Sequence, residues 1–296
     1  MSFITSTLKG LAEKMGYAIS AFKPRIDLGV YEQLFGADAV RRRAFYNVGA
    51  GGFSHPAWTN IDADSDWYGC NRKDTLRSGN LQHDLLSLKP LPIESDSASI
   101  IYSSHTIEHV TNEADEVFFR DAHRVLKQGG IVRITTNSTD LAYRAYRSGD
   151  RRFFYWSDWY RKPEEYKPIN LKSPLAEASL QQLFLFDFAS QLTTVAADGP
   201  PERLNDGEVD RIFNGMPYEE ALDHCRTRCL LEVQKRNPGY HLNWFNADKI
   251  VRMLRAAGFK DVYVSGWCQS VTPVLRDPRH FDKTHPRISI YVEGVK

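Results

Sequence analysis

The sequence predicts an α/β fold of the doubly wound class, a largely parallel sheet flanked by helices, with a large insertion after its fifth strand. Three observations carry this reading. The apolar segment AFYNV (44–48) runs straight into the glycine cluster Gly49-Ala50-Gly51-Gly52. A second strand-like segment, WTNID (58–62), ends in an acid. SASIIYSS (97–104) and IVRITTN (131–137) then flank an amphipathic helical stretch. Strand, glycine turn, strand, helix and strand in that order build parallel βαβ units.

The remaining elements follow in order. Phe3, Ile4, Leu8, Leu11, Met15 and Ile19 recur at helical spacing and predict a first helix over 3–19. A second helix is expected from about Val30 to Arg43, and NLQHD (80–84) as a further strand. The helix through EADEVFFRDAHRVLKQGG has Gly129-Gly130 as its stop signal. Residues 138–245 are too long for a connection inside a compact domain and predict a subdomain or lid. NADKIVRMLRAAGF (246–259) reads as a helix stopped by Gly258, followed by strands DVYVSGW (261–267) and RISIYVEG (287–294). The expected organisation is a helical cap over 1–43, a core over 44–142, a lid over 143–245 and the C-terminal part of the core over 246–296.

Composition bounds the function. The 296 residues are 42% hydrophobic and 25% charged, which excludes a disordered or fibrous chain. Lys plus Arg number 38 against 37 for Asp plus Glu, a net charge of +1, so no global attraction to nucleic acid or anionic membrane is expected. The four cysteines (Cys70, Cys225, Cys229, Cys268) form no C-x-x-C pair and read as thiols of a reducing compartment. No signal peptide and no apolar run of about 20 residues is found, so a cytoplasmic protein is expected.

Glycines after a strand let a ligand approach the backbone closely. The dinucleotide pattern G-x-G-x-x-G is not met, because Ser54 stands where the third glycine would be. Only Gly52–Thr59 separates the turn from the next strand, room for one or two helical turns, which Ser54-His55-Pro56 would start. A pyrophosphate seat needs a full crossover helix, so NAD is disfavoured. Asp62, at the end of the second strand, fits the role of accepting two hydroxyl hydrogen bonds from a ribose diol, with Asp64 as a less favoured substitute. A tight turn with a solvated strand-end acid is the alternative.

FYNVGAGG, NIDAD, HDLLSLKPLPIESDSASIIYSSHTIEHV, HRVLKQGGIVRITTNSTD and the terminal AGF…ISIYVEG together resemble the motif series of class I S-adenosylmethionine-dependent methyltransferases. The likeness is greatest to the branch with an N-x-G-x-G first motif found in glycan and secondary-metabolite gene sets. It spans about 44–142 and 241–296 and implies a Rossmann-like seven-stranded sheet closed by an antiparallel strand pair. It implies S-adenosylmethionine as cofactor, with Gly49, Ala50 and Gly51 along its methionine and ribose. Asp62 would hold the ribose, Asp84 and Leu85 would meet the adenine, and Ser103, Ser104 and His105 would lie near the sulfonium. The acid that usually opens the first motif is Asn47 here, and an amide offers less to the cofactor's ammonium.

Methyl transfer is an in-line displacement in which the protein positions and desolvates the nucleophile. A hydroxyl nucleophile benefits from a base with a pKa near neutrality, and histidine is the natural choice. His105 is the first candidate. His109 lies four residues on beside Glu108, and the pair could equally pin the local helix. His241, before the last helix, can reach the site from the lid side. Asn137 and Asp140 follow the fifth strand, where open sheets bind ligands, or serve as loop and cap residues.

Residues 143–167 hold nine aromatics and seven bases, and Tyr143, Arg147, Tyr155, Trp156, Trp159 and Tyr160 are candidates to stack on and clamp a substrate. A lid with its own small core is the competing reading. His224, Cys225 and Cys229 offer too few ligands for a closed zinc site, and no metal is expected. The favoured function is O-methylation of a sugar or glycan-precursor hydroxyl, with an amino-acid-like amine or thioether as the alternative acceptor. A nucleic-acid methyltransferase lacks support because the N/D-P-P-Y/F motif is missing. A non-catalytic cofactor-binding scaffold is the third class. A small-molecule substrate, with neither nucleic acid nor membrane as partner, is expected.

Overall fold

A computed structural model describes residues 26–63 and 80–296. The helix expected over 3–19, and Cys70, lie outside the described residues. The sheet has seven strands: β1 (Phe45–Val48), β2 (Trp58–Asp62), β3 (Leu81–Gln82), β4 (Ala98–Ser104), β5 (Leu126–Asn137), β6 (Asp261–Ser265) and β7 (Ser289–Val295). Their order is β3-β2-β1-β4-β5-β7-β6. The first five are parallel, and β7 runs antiparallel between β5 and β6. This is the Rossmann-like sheet of the class I methyltransferase fold with additional elements inserted.

The central strands are largely buried because both faces of the sheet are covered. Phe45 and Val48 of β1 and Ile100 and Ile101 of β4 are at most 1% exposed. The helix expected over 30–43 is two short ones, α1 (Gly29–Phe35) and α2 (Ala37–Arg41), parted at Gly36, whose φ of 84° ends a helix. Tyr31 and Ala39 turn from them into a core with Phe45, Trp58 and Phe281.

Helix α3 (Asn112–Val125) starts on a Thr111 side-chain cap and packs Phe118, Phe119, Ala122 and Val125 under the sheet. It ends four residues before the glycine pair expected to stop it. Leu126, fully buried, is already extended and pairs with Ala98 of β4. Gly129 and Gly130 lie inside β5, where they exchange backbone hydrogen bonds with Lys296. Burial of Leu126 and the β4 pairing outweigh the local stop signal.

The helical turn expected at Ser54-His55-Pro56 does not form; turns alone connect β1 to β2. His55 is instead 6% exposed, with its ring against Tyr31, His280 and Phe281 and its Nδ1 accepting from Ala57 N–H at 3.2 Å. An aromatic ring recruited into the core leaves this segment no freedom to coil.

After β5 come α4 (Thr139–Ser148), α5 (Pro163–Tyr166), α6 (Leu180–Ala189), α7 (Asp206–Gly215), α8 (Tyr218–Arg226), α9 (Leu231–Arg236) and, returning to the sheet, α10 (Ala247–Ala256). Residues from α4 to α9 build a second apolar core around Phe154, Leu183, Phe184, Phe188, Phe213 and Leu222. Helix α10 is capped by Asn246 and buries Ile250 and Leu254 beside Phe259. The loop between β6 and β7 is stapled down by Arg133 of β5. That fully buried guanidinium meets Asp282 at 2.6 Å and Glu293 at 2.7 Å. Among the described residues no helix is long and apolar enough to cross a membrane.

Candidate active site

At the C-terminal ends of β1, β2 and β4 lies a cavity of about 660 Å³, of the size that takes a cofactor-sized ligand. Its floor is the turn after β1. Gly49 donates its N–H to Ile61 O at 2.9 Å and has φ +70°. A Cβ there would stand 2.1 Å from Thr106 Oγ1, so only glycine allows the β4 turn to come this close. Gly51, at φ +50°, has nothing within 4 Å of a notional Cβ and leaves its side of the turn open. Its N–H donates to Asp62 Oδ2 at 2.7 Å, while Asp62 Oδ1 accepts from Ala63 N–H at 2.8 Å. Burial raises the Asp62 carboxyl above its ordinary value and these two donors pull it back.

Asn47, Gly49, Ala50, Gly51, Asp62, Asp84, Leu85 and Ser104 all line the cavity. Asn47 is 3% exposed and its Oδ1 has no protein donor, which makes it an acceptor waiting for one from a ligand. An open glycine turn, a strand-end carboxylate and an orphaned amide oxygen in one cavity suit the diol and ammonium of S-adenosylmethionine. Ser103 does not reach the cavity. It is 1% exposed and gives its hydroxyl to Val48 O at 2.9 Å, because neighbouring residues of a strand face opposite ways.

Three imidazoles stand beside this floor. His105 follows β4 with φ +52°, a left-handed conformation uncommon outside glycine, and its N–H is held by Thr135 O at 2.8 Å. Its Nε2 lies 2.9 Å from Ser289 Oγ and its Nδ1 3.0 Å from Glu108 Oε1. His105 and His109 line the cavity. His241 packs its ring edge-on against His109, with 4.7 Å between centroids. Burial, then the His109 charge, depresses His241 to about 3, so it is neutral. Glu108, 1% exposed, would be driven up by burial, but His105, His109 and His241 hold it down at about 2.

The substrate candidates are dispersed, and none of the eight lines the cavity. Tyr143 packs among Tyr146, Phe184, Phe213 and Tyr218, and Trp156 on Phe154 and Phe186, in the core of the inserted segment. Tyr160 packs against the same core. Asp140 accepts from Tyr218 Oη at 3.0 Å, and Arg147 donates to Asn214 Oδ1 at 2.6 Å. Asn137 is buried and donates to Asp187 Oδ1 at 3.2 Å. Aromatic side chains after a strand end were claimed by the insertion's own core, which needs apolar volume more than the cavity does. Trp159, 53% exposed, lies outside that core, and Tyr155 packs at its edge. They flank His285, whose ring is 5.6 Å from that of His105.

Sequence reasoning missed Thr106, His83, His280, Lys283 and Thr284, and the lid residues Gln234, Lys235 and Pro238, all on the cavity wall. The density of histidine and lysine between 280 and 285 was the signal available for part of this set. Cys225 and Cys229 are free thiols pushed up to about 12 by burial, so they are neutral there.

Residues 49–134 match the family model described as a methyltransferase domain. No curated protein matches the sequence. Similar solved structures include a methyltransferase from Thermotoga maritima described as a possible histamine N-methyltransferase, at 13% identity and TM-score 0.38, covering 85% of this chain and 81% of that one. A methyltransferase from Mesorhizobium loti has 13% identity and TM-score 0.37, with 85% and 90% covered. PigF with S-adenosylhomocysteine has 12% identity and TM-score 0.38; 86% of this chain matches 50% of that one, so this chain spans half of PigF's length. The domain match falls on the glycine turn, the strand-end acid and the β4 turn, so the segment that builds this wall of the cavity is similar to a methyltransferase domain.

Proposed function

We propose that the protein methylates a hydroxyl of a small polar molecule, a sugar or glycan precursor, as in the glycan and secondary-metabolite branch with the N-x-G-x-G motif. The observation that carries this is a carboxylate-backed imidazole at the cavity wall. His105 Nδ1 faces the buried Glu108 carboxylate at 3.0 Å, which fixes the proton on Nδ1 and leaves Nε2 to accept one. Ser289 Oγ, 2.9 Å from Nε2, donates to His285 O at 2.8 Å and would have to give way to, or relay a proton for, an acceptor hydroxyl. A small acceptor is favoured because the lid residues Gln234, Lys235 and Pro238 wall the cavity on one side.

The bound cofactor supplies an electrophilic methyl group on its sulfonium. The chain's residues do the rest. Asn47, the Gly49–Gly51 turn, Asp62, Asp84 and Leu85 orient the cofactor. His105 would take the acceptor hydroxyl's proton at Nε2, and Glu108 would stabilise the resulting imidazolium. His109 continues the wall beside it, with the His241 ring packed edge-on behind.

The test is methyl transfer from labelled cofactor to a panel of sugars, amino acids and amines by wild type and His105→Gln. A hydroxyl acceptor whose turnover drops about 10²–10⁴-fold in the variant, with cofactor affinity little changed, is the expected result. An amine or thioether acceptor, or full activity in His105→Gln, would refute the hydroxyl reading.

A further inference from the structure

Glu108, His109 and His241 bring one carboxylate oxygen and one ring nitrogen each within 4.8 Å of one another, a grouping found once among the described residues. Glu108 and His109 sit on the single 3₁₀ turn Ile107–His109 after β4, and His241 arrives from the chain that follows α9. The two segments are stitched together by backbone: Leu242 and Asn243 both donate to Glu108 O, at 2.9 and 3.2 Å. The cluster is thus assembled by the fold and does not depend on side chains finding one another.

Both imidazoles are oriented alike. His109 Nδ1 donates to Tyr240 O at 3.0 Å and His241 Nδ1 donates to Asp187 O at 2.7 Å. Each Nδ1 therefore carries the ring proton, and each Nε2 keeps a lone pair to give. A carbonyl holding Nδ1–H behind an open Nε2 is how metal-ligating histidines are oriented. Glu108 adds a carboxylate that is 1% exposed: His105 Nδ1 stands 3.0 Å from Oε1, and Oε2 has no protein donor. A buried carboxylate oxygen without a donor, grouped with two imidazoles, is costly unless a cation answers it.

We propose that Glu108, His109 and His241 bind one first-row divalent metal ion, with an open position towards the cofactor cavity that His109 lines. Two imidazoles and one carboxylate favour zinc, iron(II) or cobalt(II) over magnesium or calcium, which prefer oxygen ligands throughout. Two histidines and one glutamate with a free fourth position is a set used by catalytic zinc. On the reading above, the free position would receive the acceptor oxygen and ease loss of its proton, but the site itself does not rest on that reading.

The experiment uses the full chain, stripped with a chelator and titrated with zinc against a chromophoric competitor, then with cobalt(II) in the spectrophotometer. One equivalent of zinc and a cobalt spectrum free of thiolate charge transfer are expected. Glu108→Gln and His241→Ala should each weaken zinc by about 100-fold or more, on the scale at which even supporting residues cost 10- to 100-fold. His224→Ala, beside the two lid thiols, should bind as wild type does. Failure of the wild type to bind stoichiometrically, a thiolate band, or binding that survives both cluster substitutions would overturn the site. The wild-type titration and spectrum decide the matter even where a variant misfolds. S-adenosylmethionine titrated into the stripped chain separates the two readings: cofactor binding without zinc binding sinks the metal site and leaves the methyltransferase.

Discussion

Asp62 Oδ2 accepts the backbone N–H of Gly51 at 2.7 Å, so the acid that ends β2 and the turn that ends β1 hold each other in place. The carboxylate is shaped by the turn before any ligand arrives. Asp62→Ala should therefore weaken S-adenosylmethionine by about 1–3 kcal/mol, the cost of stranding polar partners, as read by isothermal titration. Unchanged affinity would remove Asp62 from the cofactor site.

The two glycines of the same turn should respond differently to alanine. At Gly49 the left-handed backbone costs about 1–2 kcal/mol and the methyl group also collides with Thr106, so the melting temperature should fall sharply. At Gly51 the backbone cost is similar but nothing obstructs the methyl group. Gly51→Ala should fold, and lose cofactor affinity because its methyl group enters the cavity. Equal melting temperatures for the two variants would refute this distinction.

Asp282 neutralises Arg133 at a site where neither side chain touches solvent, and it also accepts from Cys268 N–H at 3.0 Å. Asp282→Ala leaves a buried guanidinium short of one carboxylate and should cost about 3–5 kcal/mol in denaturant unfolding. A loss below about 1 kcal/mol would mean that Glu293 alone satisfies Arg133.

His55 should make stability depend on pH. Burial, then the His280 charge, depresses it to about 4 from 6.5; Arg43 works the same way and Asp277 opposes them. Between those values the unfolded chain binds the proton more readily, so the His55 contribution is intact above pH 6.5 and is lost as pH falls through 4. Its Nδ1 also holds the Ala57 N–H, and its ring lies against Tyr31, so protonation breaks local contacts too. His55→Gln should flatten the pH dependence of unfolding over this window, by about 1–2 kcal/mol once partial solvation is allowed for. A slope identical to wild type would place the titration elsewhere.

The strand segments, the glycine turn and the acid after it were legible because each is a local pattern. Continuous apolar runs such as Ile100–Tyr102 mark strands buried on both faces, and turn chemistry follows directly from residue type. The same continuity hides which face a residue takes. With no alternation to read, Ser103 and Ser104 look equivalent, yet one bonds Val48 and the other lines the cavity. Local stop signals misled where distant pairing was stronger, as at Gly129-Gly130, where β4 and the C-terminal residue claim the chain. What joins His241 to Glu108 and brings Gln234 and Lys235 to the cavity is packing between segments more than a hundred residues apart, and Tyr143 and Trp156 are drawn into the inserted core by partners as far along the chain as Tyr218 and Phe186. Sequence alone determined the sheet, its glycine turn and the imidazoles after β4; the tertiary structure decided which side chains share the cavity, because burial of the insertion's apolar volume is settled only when the whole chain is packed.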